Sequence, residues 1–165
     1  PAEVYGMGSD GMIPEQTQFQ RGLNLLMACL AGGNLVVGPG VIDSDMAASA
    51  AQLVIDDEAV AIVRRLAQGI RVDEGTLAVD AINRVGPRGH FLMEEHTLQF
   101  LKTGELIHTE IFDRDRREDW LAKGAKNLEQ KAREKAQAIL SVHQVPPLPD
   151  DVVKELRCIV ATAEK

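Results

Sequence analysis

The sequence predicts an α/β fold: strands of a parallel sheet in the first part of the chain and a mainly helical extension behind them. Three observations carry this reading. Residues 1–70 alternate strand-like and helix-like segments across short loops, the pattern of two βα units. The segment Asn34–Gly38 is uniformly apolar at Leu35-Val36-Val37, as a parallel strand covered on both faces should be. Over residues 71–165 the strand signal fades, and helical segments separated by Gly and Pro breaks take over. The chain shows no internal repeat and no low-complexity tract.

In chain order, Glu3–Gly8 reads as a short strand ending in the loop Gly8-Ser9-Asp10-Gly11. Pro14 suits the first turn of a helix, and Glu15 beside it favours the positive end of the dipole. From there to about Ala31, Phe19, Leu23, Leu26, Met27 and Leu30 recur at helical spacing. They mark a core-facing stripe that includes Cys29. Gly32-Gly33 ends this helix by supplying backbone freedom. Strand Asn34–Gly38 leaves through Gly38-Pro39-Gly40-Val41-Ile42-Asp43-Ser44 into a long helix over Met46–Gly69.

Asp73–Val85 and Glu94–Lys102 read as shorter helices on either side of the break Gly86-Pro87-Arg88-Gly89. Glu110-Ile111-Phe112 reads as a brief strand. Arg117–Val142 reads as one long helix, with Trp120, Leu121, Leu128, Ala132, Ala136, Ile139 and Leu140 along one side. Its charged side carries Glu129 and Arg133 as an i,i+4 pair. Pro146-Pro147-Leu148-Pro149 stops it, and Asp150 or Asp151 caps a last helix to about Thr162.

The 165 residues are 45% hydrophobic and 26% charged, ordinary for a globular domain with one core. Aromatics make up only 4%, so aliphatic side chains must fill the interior. The net charge of −7 resides in the first part: residues 1–60 hold one base, Arg21, against eight acids, and residues 61–165 balance. That distribution lacks the basic footprint a phosphate backbone demands, which argues against nucleic acid as a partner. No apolar run approaches the ~20 residues of a membrane span. Cys29 and Cys158 lie far apart and predict neither a disulfide framework nor a metal site, as in a reducing, cytoplasmic compartment. The chain opens without Met on strand-like residues, as expected of part of a longer protein.

Three ordered strings carry a resemblance: GMGSDGMIPEQTQFQRGLNLLMACLAGGNLVVGPG, SAAQLVIDDEAVAIVRRLAQGI and GPRGHFLMEEHTLQFLKTGELIHTEIFDRDRREDW. Together they resemble the C-terminal third of the trimethylamine methyltransferase family, and they cover nearly the whole chain. The resemblance implies the C-terminal portion of a (β/α)8 TIM barrel with additional C-terminal helices. A complete barrel needs roughly 250 residues. It also implies methyl transfer from a methylated amine (trimethylamine, glycine betaine or another quaternary amine) to the Co(I) of a corrinoid carried by a partner protein. The chain itself would bind no metal. The family divides into members with pyrrolysine and relatives without it, and every residue here is a standard one, which leans towards the second group.

Barrel chemistry sits at the carboxyl ends of the strands, which here are Gly8-Ser9-Asp10 and Gly38-Pro39-Gly40 through Asp43. The glycines are expected to leave space for a flat macrocycle. Asp10 and Asp43 are expected to hold a cationic substrate or to hydrogen-bond the corrinoid. The bland alternative makes the glycines turn residues and the aspartates caps. Tyr5, beside a strand end, is the aromatic singled out for a substrate contact, whereas Trp120 reads as packing. His90, after a glycine, is a candidate to close over the barrel mouth, and His96 reads as a helix-surface residue. Asp56-Asp57-Glu58 cannot share one helix face and is expected to be a solvated face.

The competing reading is a non-catalytic module that docks a corrinoid protein or dimerises. An aldolase would need a Schiff-base lysine at a strand end, and the first lysine is Lys102. Isolated from the rest of a barrel, the chain is expected to be inert, to expose apolar surface and to form a homo-oligomer.

Overall fold

The computed structural model describes residues 2–8 and 14–164. Its first layer is a parallel pair of short strands, β1 (Glu3–Tyr5) and β2 (Leu35–Val37), with Glu3 opposite Leu35, Val4 opposite Val36 and Tyr5 opposite Val37. Helix α1 (Pro14–Leu30) connects them, so the expected βαβ unit forms. Met7 extends the pairing by donating its N–H to the Val37 carbonyl at 3.2 Å. The segment from 38 to 48, read as a loop running into a helix, instead contains an antiparallel hairpin, β3 (Val41–Ile42) and β4 (Ala47–Ala48). Helix α2 (Ala50–Ala67) then starts four residues later than the pattern suggested. Its start is set by Ser49, whose hydroxyl accepts the Gln52 N–H at 3.2 Å.

Three segments read as continuous or strand-like are divided or reassigned beyond α2. The expected helix Asp73–Val85 is two pieces, α3 (Glu74–Leu77) and α4 (Val79–Val85), broken where Ala78 turns left-handed at φ 54°. Helix α5 (Glu95–Leu101) lies as expected. Residues 110–112 form no strand: their N–H groups are taken by the carboxylate of Glu58, at 2.7 Å from Glu110, 2.9 Å from Ile111 and 3.4 Å from Phe112. The long helix over Arg117–Val142 is α6 (Arg117–Ala122) and α7 (Leu128–Val142). Gly124 at φ 93° and Ala125 at φ 50° end the first, and an Asn127–Gln130 capping box starts the second. Helix α8 (Asp150–Ala163) begins after Pro149 without a side-chain cap and buries no residue.

The core is small and sits where α2 packs against α1 on one side and α7 on the other. One cluster joins Met7, Leu25 and Val63, with Cys29 and Val36 packed on it; the other joins Ile55, Ile111 and Ala132. The stripe assigned to the core of α1 faces it only in part, through Leu26 and Cys29. Phe19, Leu23, Met27 and Leu30 are exposed, and the buried positions are Thr17, Arg21, Leu25 and Ala28. The overall architecture is therefore helix-rich with two small sheets. No helix among the described residues is long and apolar enough to cross a membrane.

Candidate functional site

Parallel strands place both of their carboxyl ends on one edge of the sheet, and Tyr5, Gly8 and Gly38 meet there. A Cβ at Gly38 would lie 3.2 Å from the Gly8 nitrogen and 3.2 Å from the Tyr5 ring, and one at Gly8 would collide with that ring. Gly38 also sits at φ 101°, which only glycine adopts readily. The space beside both glycines is thus occupied by Tyr5. Gly40 is likewise enclosed, since a Cβ there would lie 3.1 Å from that of Leu53.

The β3–β4 hairpin reaches the same edge. Its tip places Asp43, Ser44 and Asp45 at φ 55°, 46° and 71°, three consecutive left-handed residues of the kind Asp tolerates better than most. Met46 donates to the Asp43 carbonyl at 2.9 Å, closing the turn. From this tip the Asp45 carboxylate accepts the Tyr5 hydroxyl hydrogen. That hydrogen bond is the main reason the Tyr5 phenol is held above the usual tyrosine range; partial desolvation and the charge of Asp45 add to it, and Arg21 opposes it. Tyr5 is 52% exposed and stands beside the Asp45 carboxylate. An exposed π-face beside a carboxylate attracts a cation.

Beneath the hairpin lies a buried ion pair that the charge pattern did not reveal. Arg21 on α1 and Asp56 on α2 meet through two hydrogen bonds, Nε to Oδ1 at 3.0 Å and Nη2 to Oδ2 at 2.5 Å. Gln52 donates to the same carboxylate at 2.8 Å, and Gln52 and Gln18 exchange amide hydrogen bonds at 2.7 and 3.2 Å. The expectation of a solvated Asp56-Asp57-Glu58 face therefore holds only for Asp57. Asp56 and Glu58 are buried because each carboxylate has polar groups waiting for it, on opposite sides of α2. The three still form no common ligand group, as helix geometry requires.

The remaining expected residues are not part of this cluster. Ser9 and Asp10 lie outside the described residues. His90 is exposed after the Gly86–Gly89 turn, and among the described residues no hydrogen bond or ion pair joins it to Tyr5 or the hairpin. His96 donates from Nε2 to the Gly75 carbonyl at 2.7 Å and stacks on Phe100 with centroids 4.3 Å apart, tying α5 to α3. Among the described residues no group of three or more His, Cys, Asp or Glu side chains is placed to hold a metal ion. Asp45 and Arg21 were the residues missed. The Asp43-Ser44-Asp45 run, rich in turn-forming side chains, was a signal for the first.

The family model described as trimethylamine methyltransferase matches residues 6–165. Among curated proteins, a trimethylamine methyltransferase of Methanosarcina mazei is 37% identical over all of this chain and 33% of its own length. One of Desulfitobacterium hafniense is 36% identical over 99% of this chain and 33% of its own length. A glycine betaine methyltransferase of Desulfitobacterium hafniense is 29% identical over 97% of this chain and 33% of its own length. The chain thus spans about a third of the length of the curated relatives it matches.

Proposed function

Because the chain belongs to the trimethylamine methyltransferase family, we propose that it forms part of an enzyme that moves a methyl group from a methylated amine to the Co(I) of a corrinoid carried by a partner protein. The amine is trimethylamine, glycine betaine or another quaternary amine, in line with the names of the relatives. The (β/α)8 barrel belongs to the same proposal, supported by the β1–α1–β2 unit with its parallel register. In this reading the whole protein, about three times the length of the chain, carries the activity.

The observation that carries the reading is the pairing of Tyr5 with Asp45 at the carboxyl edge of the parallel pair. Quaternary ammonium groups offer no N–H donor and protonated trimethylamine only one, so such cations are held largely by charge and by aromatic faces. The Tyr5 hydrogen is committed to Asp45, which keeps the phenol neutral and leaves the carboxylate oriented towards the strand ends. The corrinoid, when its carrier docks, supplies the nucleophile that accepts the methyl group. Tyr5 and Leu53 occupy the space a Cβ would take at Gly8, Gly38 and Gly40. The contribution proposed for this segment is on the side of the cation, through Tyr5 and Asp45.

The test is a methyl-transfer screen of the full-length protein with reduced corrinoid protein and a panel of methylamines and betaines. Asp45→Asn and Tyr5→Phe should raise KM for the preferred amine, Asp45→Asn by on the order of tenfold, as expected for about 1–2 kcal/mol of lost charge contact. Unchanged kinetics in both variants at native folding would refute the assignment. Corrinoid-protein binding without methyl transfer to any amine would favour the docking module instead.

A further inference from the structure

An ion pair that merely joined two helices would need nothing beyond its two partners. The pair between Arg21 and Asp56, with side chains 2% and 1% exposed, does more. Arg21 Nη1 donates to the Val41 carbonyl at 2.6 Å and Nη2 to the Gly38 carbonyl at 3.2 Å. The Asp56 Oδ2 accepts the Gly40 N–H at 2.7 Å. Three backbone groups within four residues, from the exit of β2 to the first residue of β3, are therefore fixed by one pair of side chains.

That stretch needs such a hold. The hairpin has only two residues in each strand, too few to fix its own position. Its tip contains three non-glycine left-handed residues, a conformation that persists only where the surroundings over-determine it. Root and tip are both tied: the root by Arg21, Asp56 and the Ser49 N–H on the Gly40 carbonyl at 2.8 Å, the tip by Tyr5 on Asp45. Lysine in place of Arg21 would match the charge of Asp56 but could not fork to two carbonyls as well.

We propose that Arg21 and Asp56 are positioning residues for the cation site, fixing the Gly38–Val41 backbone so that the hairpin presents Asp45 to Tyr5. The proposal rests on the reading of that site given above. Neither residue touches the substrate; both act through the backbone they hold.

The chain has a single tyrosine, so a 13Cζ label reports on Tyr5 alone. Its chemical shift is followed at neutral pH, with and without tetramethylammonium, beside far-UV circular dichroism. Asp45→Ala, which removes the acceptor, defines the shift of the unpaired phenol. Arg21→Lys should move the Tyr5 signal most of the way to that value while keeping native helicity. Glu58→Gln disturbs the other buried carboxylate of α2, which holds residues 110–112 instead, and should leave the signal native. A folded Arg21→Lys variant with a native Tyr5 signal overturns the proposal, as does an equal displacement in Glu58→Gln. Should Arg21→Lys not fold, Asp56→Glu keeps both charges, withdraws the carboxylate from Gly40 and is read in the same way. If both fail to fold while Glu58→Gln folds, the pair holds the whole fold, and the positioning role is likewise overturned. A native signal indifferent to tetramethylammonium, with the Arg21→Lys displacement intact, sinks the cation reading and leaves the positioning role standing.

Discussion

Replacing Asp56 with alanine should remove a large part of the stability of this chain. The carboxylate accepts four hydrogen bonds: from Arg21 Nε at 3.0 Å and Nη2 at 2.5 Å, from Gln52 at 2.8 Å and from the Gly40 N–H at 2.7 Å. Alanine would leave a guanidinium buried without its counter-charge and a backbone N–H without an acceptor. Removing one partner of a buried pair costs about 3–5 kcal/mol, against roughly 5–15 kcal/mol for a whole domain. With a urea dependence of about 1–3 kcal/mol per molar, the midpoint should fall by about 2 M. Asp57, the next residue, is exposed, and its alanine variant should stay within about 0.5 kcal/mol of the native chain. The assay is urea unfolding followed at 222 nm for both variants and for Arg21→Met combined with Asp56→Leu. The double variant should recover part of the loss, since it leaves no buried charge unpaired. Equal midpoints for the Asp56 and Asp57 variants would refute the reasoning, as would a double variant no better than Asp56→Ala.

Three further outcomes follow from the same contacts. Glu58→Gln should cost about 1–3 kcal/mol by weakening the acceptor for the Glu110 and Ile111 N–H groups, and hydrogen exchange at those amides should accelerate before that of α1. Asn127→Ala should destabilise by about 1 kcal/mol, because it removes the acceptor for the Gln130 N–H and breaks the capping box of α7; thermal unfolding reads this directly. The folded Tyr5 phenol is raised above its unfolded value, so the stability from its bond to Asp45 is complete below the ordinary tyrosine pKa of about 10 and is lost as pH rises through the folded value. Absorbance at 295 nm should show an elevated titration that Asp45→Asn returns towards the ordinary range.

What the sequence disclosed were the elements governed by local rules. Pro14 with Glu15 opens α1 where it should, Gly32-Gly33 closes it, and the apolar Leu35-Val36-Val37 run is the second strand, parallel to the first. The breaks it hid come at alanines in left-handed conformations, Ala78 at φ 54° and, beside Gly124 at φ 93°, Ala125 at φ 50°. Alanine is the best helix former, so periodicity runs straight through both positions, and only the tertiary fold turns the chain there. Residues 110–112 misled for a different cause. Their apolar Ile111-Phe112 core looks like a strand, but a distant carboxylate on α2 satisfies their N–H groups in place of a neighbouring strand. Of the site, Tyr5, Gly8, Gly38 and Asp43 were legible as strand-end residues. The partner that organises them, Asp45, belongs to a hairpin with strands of two residues, too short to leave an alternating pattern.

The buried pair was legible in principle, by an argument from misplaced charge rather than from charge totals. Arg21 is the one base among the first sixty residues, in a stretch holding eight acids. It lies four residues from Thr17 and four from Leu25, on the face of α1 that the fold buries. Asp56 stands four residues after Gln52 and beside Ile55, and all three are buried on α2. A lone base on the buried face of one helix and an acid on the buried face of a second can remain there only if they find each other, because an unpaired buried charge costs several kcal/mol. The wide apolar stripe of α1, Phe19 through Leu30, outweighed that signal because periodicity counts apolar residues and ignores which face a charge must share. Helix α1 is therefore amphipathic in two senses at once. Its polar-bearing face meets α2 and carries the hold on the site, and its apolar face stays on the outside of this chain.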